Sequence, residues 1–199
     1  MAKVKIYGSP QSRAARALWC ARECGIEFDH LGTDFAALKG DAEFRKINPN
    51  AKVPALVDGD LILFESMAIN LYLARKYGGA LWPATPEGEA IAFQWSFWGM
   101  TEVEKHLLTI VVDMFMTPAD KRNPKAVEDA REALKKPFAI LNDALKGREY
   151  LAGDHFTVGD LNLASVMGWA RLVKLDMTGC ANIGNWMDRC MARPAFKGR

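Results

Sequence analysis

The sequence has no CxxC pair, no long apolar run and no excess of one charge. Its four cysteines, Cys20, Cys24, Cys180 and Cys190, include no pair at dithiol or zinc-ligand spacing, which sets aside a dithiol redox motif and a zinc site. Cys20 and Cys24 lie one helical turn apart in an apolar stripe and read as buried packing residues. The three histidines are scattered, so a metal centre is not expected. Lys and Arg total 26 against 24 Asp and Glu, and the signs are interspersed, so neither nucleic acid nor a membrane surface is an expected partner. No apolar stretch approaches the roughly 20 residues that span a bilayer. The opening Met-Ala-Lys-Val-Lys-Ile-Tyr reads as a strand without a signal peptide's apolar core, and the expected setting is a reducing cytoplasm.

What is present divides in two. Over residues 1–79 strand and helix patterns alternate. "KVKIYG" is an alternating strand and "SRAARALWCAREC" a helix ending at Gly25, followed by a strand in "IEFDHLGTD" and a short helix in "GDAEFRKI". "VPALVDGDLILFES" reads as two strands joined by Asp58-Gly59, and "ESMAINLYLARKYG" as a helix. This order fits a compact α/β unit with mixed strand directions. Residues 80–86 carry the punctuation of a linker, and residues 87–199 show no convincing strand. They read as an all-helical domain: a long helix to about 116, a second from Pro124 to Lys146 that Pro137 kinks or divides, and two more in "TVGDLNLASVMGWARLV" and "NIGNWMDRCMARPAF". In the third, Thr157 and Asp160 have capping-box spacing and are assigned to folding.

Three stretches of the α/β unit carry chemistry. The turn "SPQS" places Ser12 at a helix start, where unpaired N–H groups and the helix dipole stabilise an anion such as a thiolate. Ser12 there either caps the helix or donates to a thiolate. "NPNAKVPAL" puts Pro54 at a strand start. A cis bond would leave the Val53 main chain open to an extended peptide, whereas a trans bond would be an ordinary strand opening. "LFES" sets Glu65 and Ser66 at another helix start, either as cap and first-turn acid or as a site for an amino-acid head group.

Together, "IYGSPQSRAARAL", "INPNAKVPALVDGDLILFES" continuing into "AI" and "LYLARKYG", and "YLAGDHFTVGDLNLA" resemble the cytosolic glutathione S-transferases over nearly the whole chain. The resemblance implies a thioredoxin-like N-terminal domain followed by an all-α domain, usually in a homodimer. It also implies glutathione as substrate, no metal, and a small hydrophobic electrophile as second substrate in detoxification. The thiol would then come with the substrate. Ser12 lines up with the catalytic serine of the phi-like enzymes and the cysteine of the bacterial beta-like ones, with Tyr7 at the strand end as competitor. By the same matching Lys52 and Val53 contact the peptide, Pro54 is the cis-proline, Glu65 and Ser66 hold the γ-glutamyl head group, and Lys39 meets the glycyl carboxylate.

In the helical domain "TEVEK" is similar to a segment whose residues reach the partner subunit's glutathione, with Thr101 and Glu102 in those slots and Glu104 where the family has histidine. Trp95, Trp98, Glu102 and His106 fall roughly along one helix face. The aromatics there serve either core or dimer packing or the walls of a hydrophobic-substrate pocket, and the second-substrate pocket would be Trp98, Lys105 and His106. A rival from another class is a glutathione- or protein-binding module that keeps the fold without turnover.

Overall fold

The computed structural model describes residues 3–32 and 40–198. The chain forms two compact units, Met1–Trp82 with Pro194–Arg199, and Pro83–Arg193.

In the first unit the period-2 pattern of the opening makes β1 (Val4–Tyr7), with Val4 and Ile6 buried and Lys5 exposed. α1 (Ala14–Glu23) buries Ala14, Leu18 and Ala21 of its apolar stripe and Cys20 as expected, together with Arg16, Ala17 and Trp19. Cys24, by contrast, is only half-buried. β2 (Phe28–Leu31) runs parallel to β1, with His30 opposite Ile6. In α2 (Ala42–Ile47) the Asp41 carboxylate caps the start by accepting from the Phe44 N–H at 2.9 Å. β3 (Ala55–Asp58) and β4 (Leu61–Phe64) form the expected hairpin, and Gly59 supplies the positive φ of 62° that its turn needs. β3 is antiparallel to β1, so the mixed sheet has the order β2-β1-β3-β4. α3 (Ser66–Tyr77) packs beside α1.

The second unit is helical among its described residues. Thr85 caps α4 (Pro86–Trp98), its hydroxyl accepting from the Gly88 N–H at 3.1 Å. The rod expected to about residue 116 is present but passes through a π-helical turn at Gly99–Glu104 before α5 (Lys105–Phe115). α6 (Pro124–Ala144) runs through Pro137 undivided, with that residue buried beside Leu134, Phe138 and Leu141. α7 (Val158–Leu172) starts with the capping box foreseen at Thr157 and Asp160. α8 (Ala181–Met191) and α9 (Pro194–Lys197) follow. The tail from 194, expected to continue the helical domain, groups instead with the first unit. There Phe196 stands edge-on to Trp19 with ring centroids 4.9 Å apart.

Candidate active site

Gly8 is where three elements of the first unit meet. Its φ is +130°, and a Cβ there would lie 2.6 Å from the Ala14 Cβ and 2.9 Å from the Val53 Cβ. Only a glycine lets the end of β1, the start of α1 and the Val53-Pro54 stretch approach this closely. The Val53-Pro54 bond is cis. Its loop is built by buried Asn48, whose amide donates to the Lys52 carbonyl at 2.7 Å while its own oxygen accepts from the Asn50 N–H at 3.0 Å. Val53 and Pro54 are buried and Lys52 is exposed.

Ser12 lies on the turn, two residues before α1, and is half-buried. Its Oγ accepts from the Ala14 N–H at 3.0 Å and its hydroxyl donates to the Ser9 carbonyl at 2.6 Å. The N-cap of α1 is Arg13, which makes no side-chain cap, so the Ser12 contact belongs to the turn just ahead of it and leaves a rotatable O–H beside the helix start. Tyr7, at the end of β1, is half-buried. Its ring lies 5.9 Å from that of Phe44, against a cluster of Phe44, Val53 and Ala55.

Glu65 is exposed and has φ 73° and ψ 114°, a conformation that side chains rarely adopt. It stands at the N-cap of α3 and makes no side-chain cap. Ser66 is the first helical residue and is buried, with its Oγ accepting from Arg16 Nη1 at 3.3 Å. Arg16, only 3% exposed, sits one turn beyond Ser12 on α1. It was not singled out in the sequence because a charged residue between apolar positions reads as solvated. Its one signal is that it interrupts an otherwise apolar stripe.

Lys39 lies outside the described residues. The remaining expected residues belong to the second unit. Thr101 and Glu102 are exposed on the π-helical turn, where the Thr101 hydroxyl donates back to the Phe97 carbonyl at 3.3 Å. Glu104 is buried. Trp98 is half-buried, edge-on to buried Trp95 at 5.0 Å. Lys105 is exposed and His106 half-buried. Burial pushes the His106 imidazole below its ordinary range, Lys105 adds to that, and Glu102 opposes it. The π turn inserts an extra residue into the rod, so Trp95 and Glu102 do not share an environment as the 3.6-residue period suggests. Among the described residues no group of three or more His, Cys, Asp or Glu side chains is placed to hold a metal ion. Nor, among them, is any helix long and apolar enough to cross a membrane.

Residues 2–75 match the family model "Glutathione S-transferase, N-terminal domain", and residues 103–194 match "Glutathione S-transferase, C-terminal domain". The chain belongs to the glutathione S-transferase family. It is 35% identical to a probable glutathione S-transferase of Oryza sativa, GSTF1, over 99% of this chain and 95% of that one. It is 33% identical to glutathione S-transferase GstB of Escherichia coli, over 98% and 96%. In structure it is similar to the theta-class glutathione S-transferase of Xanthomonas axonopodis solved with glutathione bound, at TM-score 0.91, 30% identity and coverage of 100% and 97%. It is also similar to a glutathione S-transferase-I bound with lactoylglutathione, at TM-score 0.89, 29% identity and coverage of 99% and 98%. The family's two-domain order, a mixed four-stranded α/β unit and then a helical one, is the order found here.

Proposed function

We propose that this glutathione S-transferase activates the glutathione thiol through Ser12 and directs it at a small hydrophobic electrophile. The observation that carries the reading is the convergence at Gly8, where the strand end leading into the Ser12 turn meets the start of α1 and the cis Val53-Pro54 stretch. The Val53 main chain pairs with the tripeptide backbone. Glu65 takes its ammonium, and Ser66 with the α3 N-terminus takes its γ-glutamyl carboxylate. Lys52 serves the other end of the peptide, and Lys39 takes the glycyl carboxylate by the family resemblance alone.

The sulfur is then delivered to the start of α1. Ser12 turns its hydroxyl from the Ser9 carbonyl to the sulfur, and the thiol proton leaves to solvent. The thiolate forms a carbon–sulfur bond as the electrophile's leaving group departs or its strained ring opens. Each unit by which the site lowers the thiol pKa corresponds to about 1.4 kcal/mol. One hydroxyl donor with a helix terminus accounts for two or three such units.

Trp98, Lys105 and His106 line the electrophile's pocket. Thr101 and Glu102 complete the glutathione site of a second copy in a homodimer. Exposed Leu61, Ile62 and Phe64 on edge strand β4, and the stacked exposed pair Phe93 and Phe97 on α4, supply apolar surface for that association. The enzyme works in the cytoplasm. Retention on a glutathione column together with turnover of chloroaromatic, epoxide or peroxide substrates tests the reading; retention without turnover of any of them would contradict it.

A further inference from the structure

We infer that His30 is a positioning residue for the thiol-activating turn, an inference that rests on the role proposed for Ser12. His30 lies on β2, outside every glutathione contact assigned above. Its Nε2–H donates to the Gly8 carbonyl at 2.7 Å, while the Gly8 N–H donates to the Leu31 carbonyl at 2.9 Å. Strand β2 therefore grips the last residue before the turn on both of its backbone groups.

The grip bears directly on Ser12. Because a peptide bond is planar, fixing the Gly8 carbonyl fixes the plane that also contains the Ser9 nitrogen. Ser9 is the next residue, and its carbonyl receives both the Ser12 N–H at 2.9 Å and the Ser12 hydroxyl at 2.6 Å. Gly8 cannot drift sideways to relax the turn, since Ala14 and Val53 close in on it from two sides. His30 holds the orientation of the Gly8–Ser9 peptide, the first link from β1 into the turn, and the Ser12 N–H to Ser9 carbonyl bond holds the next. A hydroxyl that must meet a sulfur at hydrogen-bond distance is sensitive to displacements of this kind.

A carbonyl only accepts, so Nε2 carries the hydrogen of this contact.

The test compares His30→Phe, which keeps a ring but loses the donor, with His30→Gln, whose amide N–H has nearly the same reach. The readouts are thiolate absorbance of bound glutathione across pH, kcat and KM separately, and thermal melts. With Phe, kcat falls roughly three- to tenfold, the size of one hydrogen bond's net contribution, the bound thiol titrates higher, and KM for glutathione stays within about twofold. With Gln both recover. A His30→Phe titration identical to wild type, or a kcat loss that Gln does not restore, overturns the inference. Ser12→Ala run alongside separates the two levels: if it titrates higher while His30→Phe does not, only the His30 role falls. If Ser12→Ala leaves the titration unchanged, the activation reading falls and the inference with it.

Discussion

The Arg16 guanidinium donates to the Ser66 hydroxyl at 3.3 Å, both residues being 3% exposed, and so ties α1 to the first residue of α3. This contact occupies a lone pair on the Ser66 oxygen and leaves its hydrogen to donate outward. It also sets a buried cation beneath the helix start where the proposed carboxylate sits. Arg16→Gln keeps a donor but removes the charge. Its expected effect is about a tenfold loss of glutathione affinity, or about 1.4 kcal/mol, by calorimetric titration. Unaltered affinity would show that the cation serves folding alone.

Ser66 separates a capping role from a binding role more cleanly than its sequence position does. A capping serine replaced by alanine costs about 0.5–2 kcal/mol of stability and spares affinity. Here the N-cap is Glu65, so Ser66→Ala removes no cap; it takes the acceptor from buried Arg16 and is expected to cost about 1–3 kcal/mol of stability while also weakening glutathione by roughly 1.5–3 kcal/mol, ten- to a hundredfold. Glu65→Gln keeps the side chain's shape without the charge facing the ammonium and is expected to weaken binding similarly. Paired melts and titrations decide between the roles.

Asp58 gives the first unit an acid-sensitive lock. Its Oδ2 accepts from Tyr72 at 2.6 Å, Tyr77 at 2.6 Å and Lys76 at 2.8 Å. Burial alone would raise its carboxyl pKa, but the hydrogen bonds from Lys76 and the two tyrosines outweigh that and hold it below the usual carboxylate range. A carboxyl depressed on folding stabilises the fold above its unfolded pKa of about 3.9 and loses that contribution as pH falls toward the folded value. Melting temperature is therefore expected to drop as pH is lowered from about 4, and Asp58→Asn to flatten that drop. Parallel acid dependence in both proteins would remove Asp58 from the account.

Asp160 anchors the second unit. Beyond the capping box with Thr157, its Oδ1 accepts from the Leu151 N–H and from the Trp186 indole N–H, both at 2.9 Å and both buried. Asp160→Ala orphans these donors at about 1–3 kcal/mol each, besides the lost cap. A destabilisation of about 3 kcal/mol or more is expected in chemical denaturation. A loss under about 1 kcal/mol would mean that water replaces the carboxylate.

Patterns within a few residues made most of this fold legible. The alternation in "KVKIY", the Asp58-Gly59 turn and the Thr157–Asp160 spacing each carry their own local physics, and each appears where that physics puts it. What the sequence hid depends on distant partners. Arg16 is charged yet buried, because α3 comes to it from 50 residues away. His30 stays exposed on β2, and its partner, the Gly8 carbonyl, is supplied by β1 from 22 residues away. Pro137 passes through a helix because surrounding burial holds it there, and Phe196 leaves the helical unit to pack on Trp19. The π turn at 99–104 breaks no pattern of composition, so periodicity alone ran a regular helix through it. The Ser12 turn and the Val53-Pro54 stretch were legible as separate motifs, but the close approach of Gly8 to Ala14 and Val53 was not.

The most direct measurement of thiol activation is the ultraviolet thiolate absorbance of bound glutathione, titrated in wild type and Ser12→Ala. Melts are run beside it, because the lost contact to the Ala14 N–H should itself cost about 1 kcal/mol. The account predicts a bound thiol in wild type titrating well below its free value of about 8.5, and one in Ser12→Ala that returns toward that value while turnover falls steeply in a folded protein. A depressed titration that survives intact in Ser12→Ala would contradict it and move the role to Tyr7.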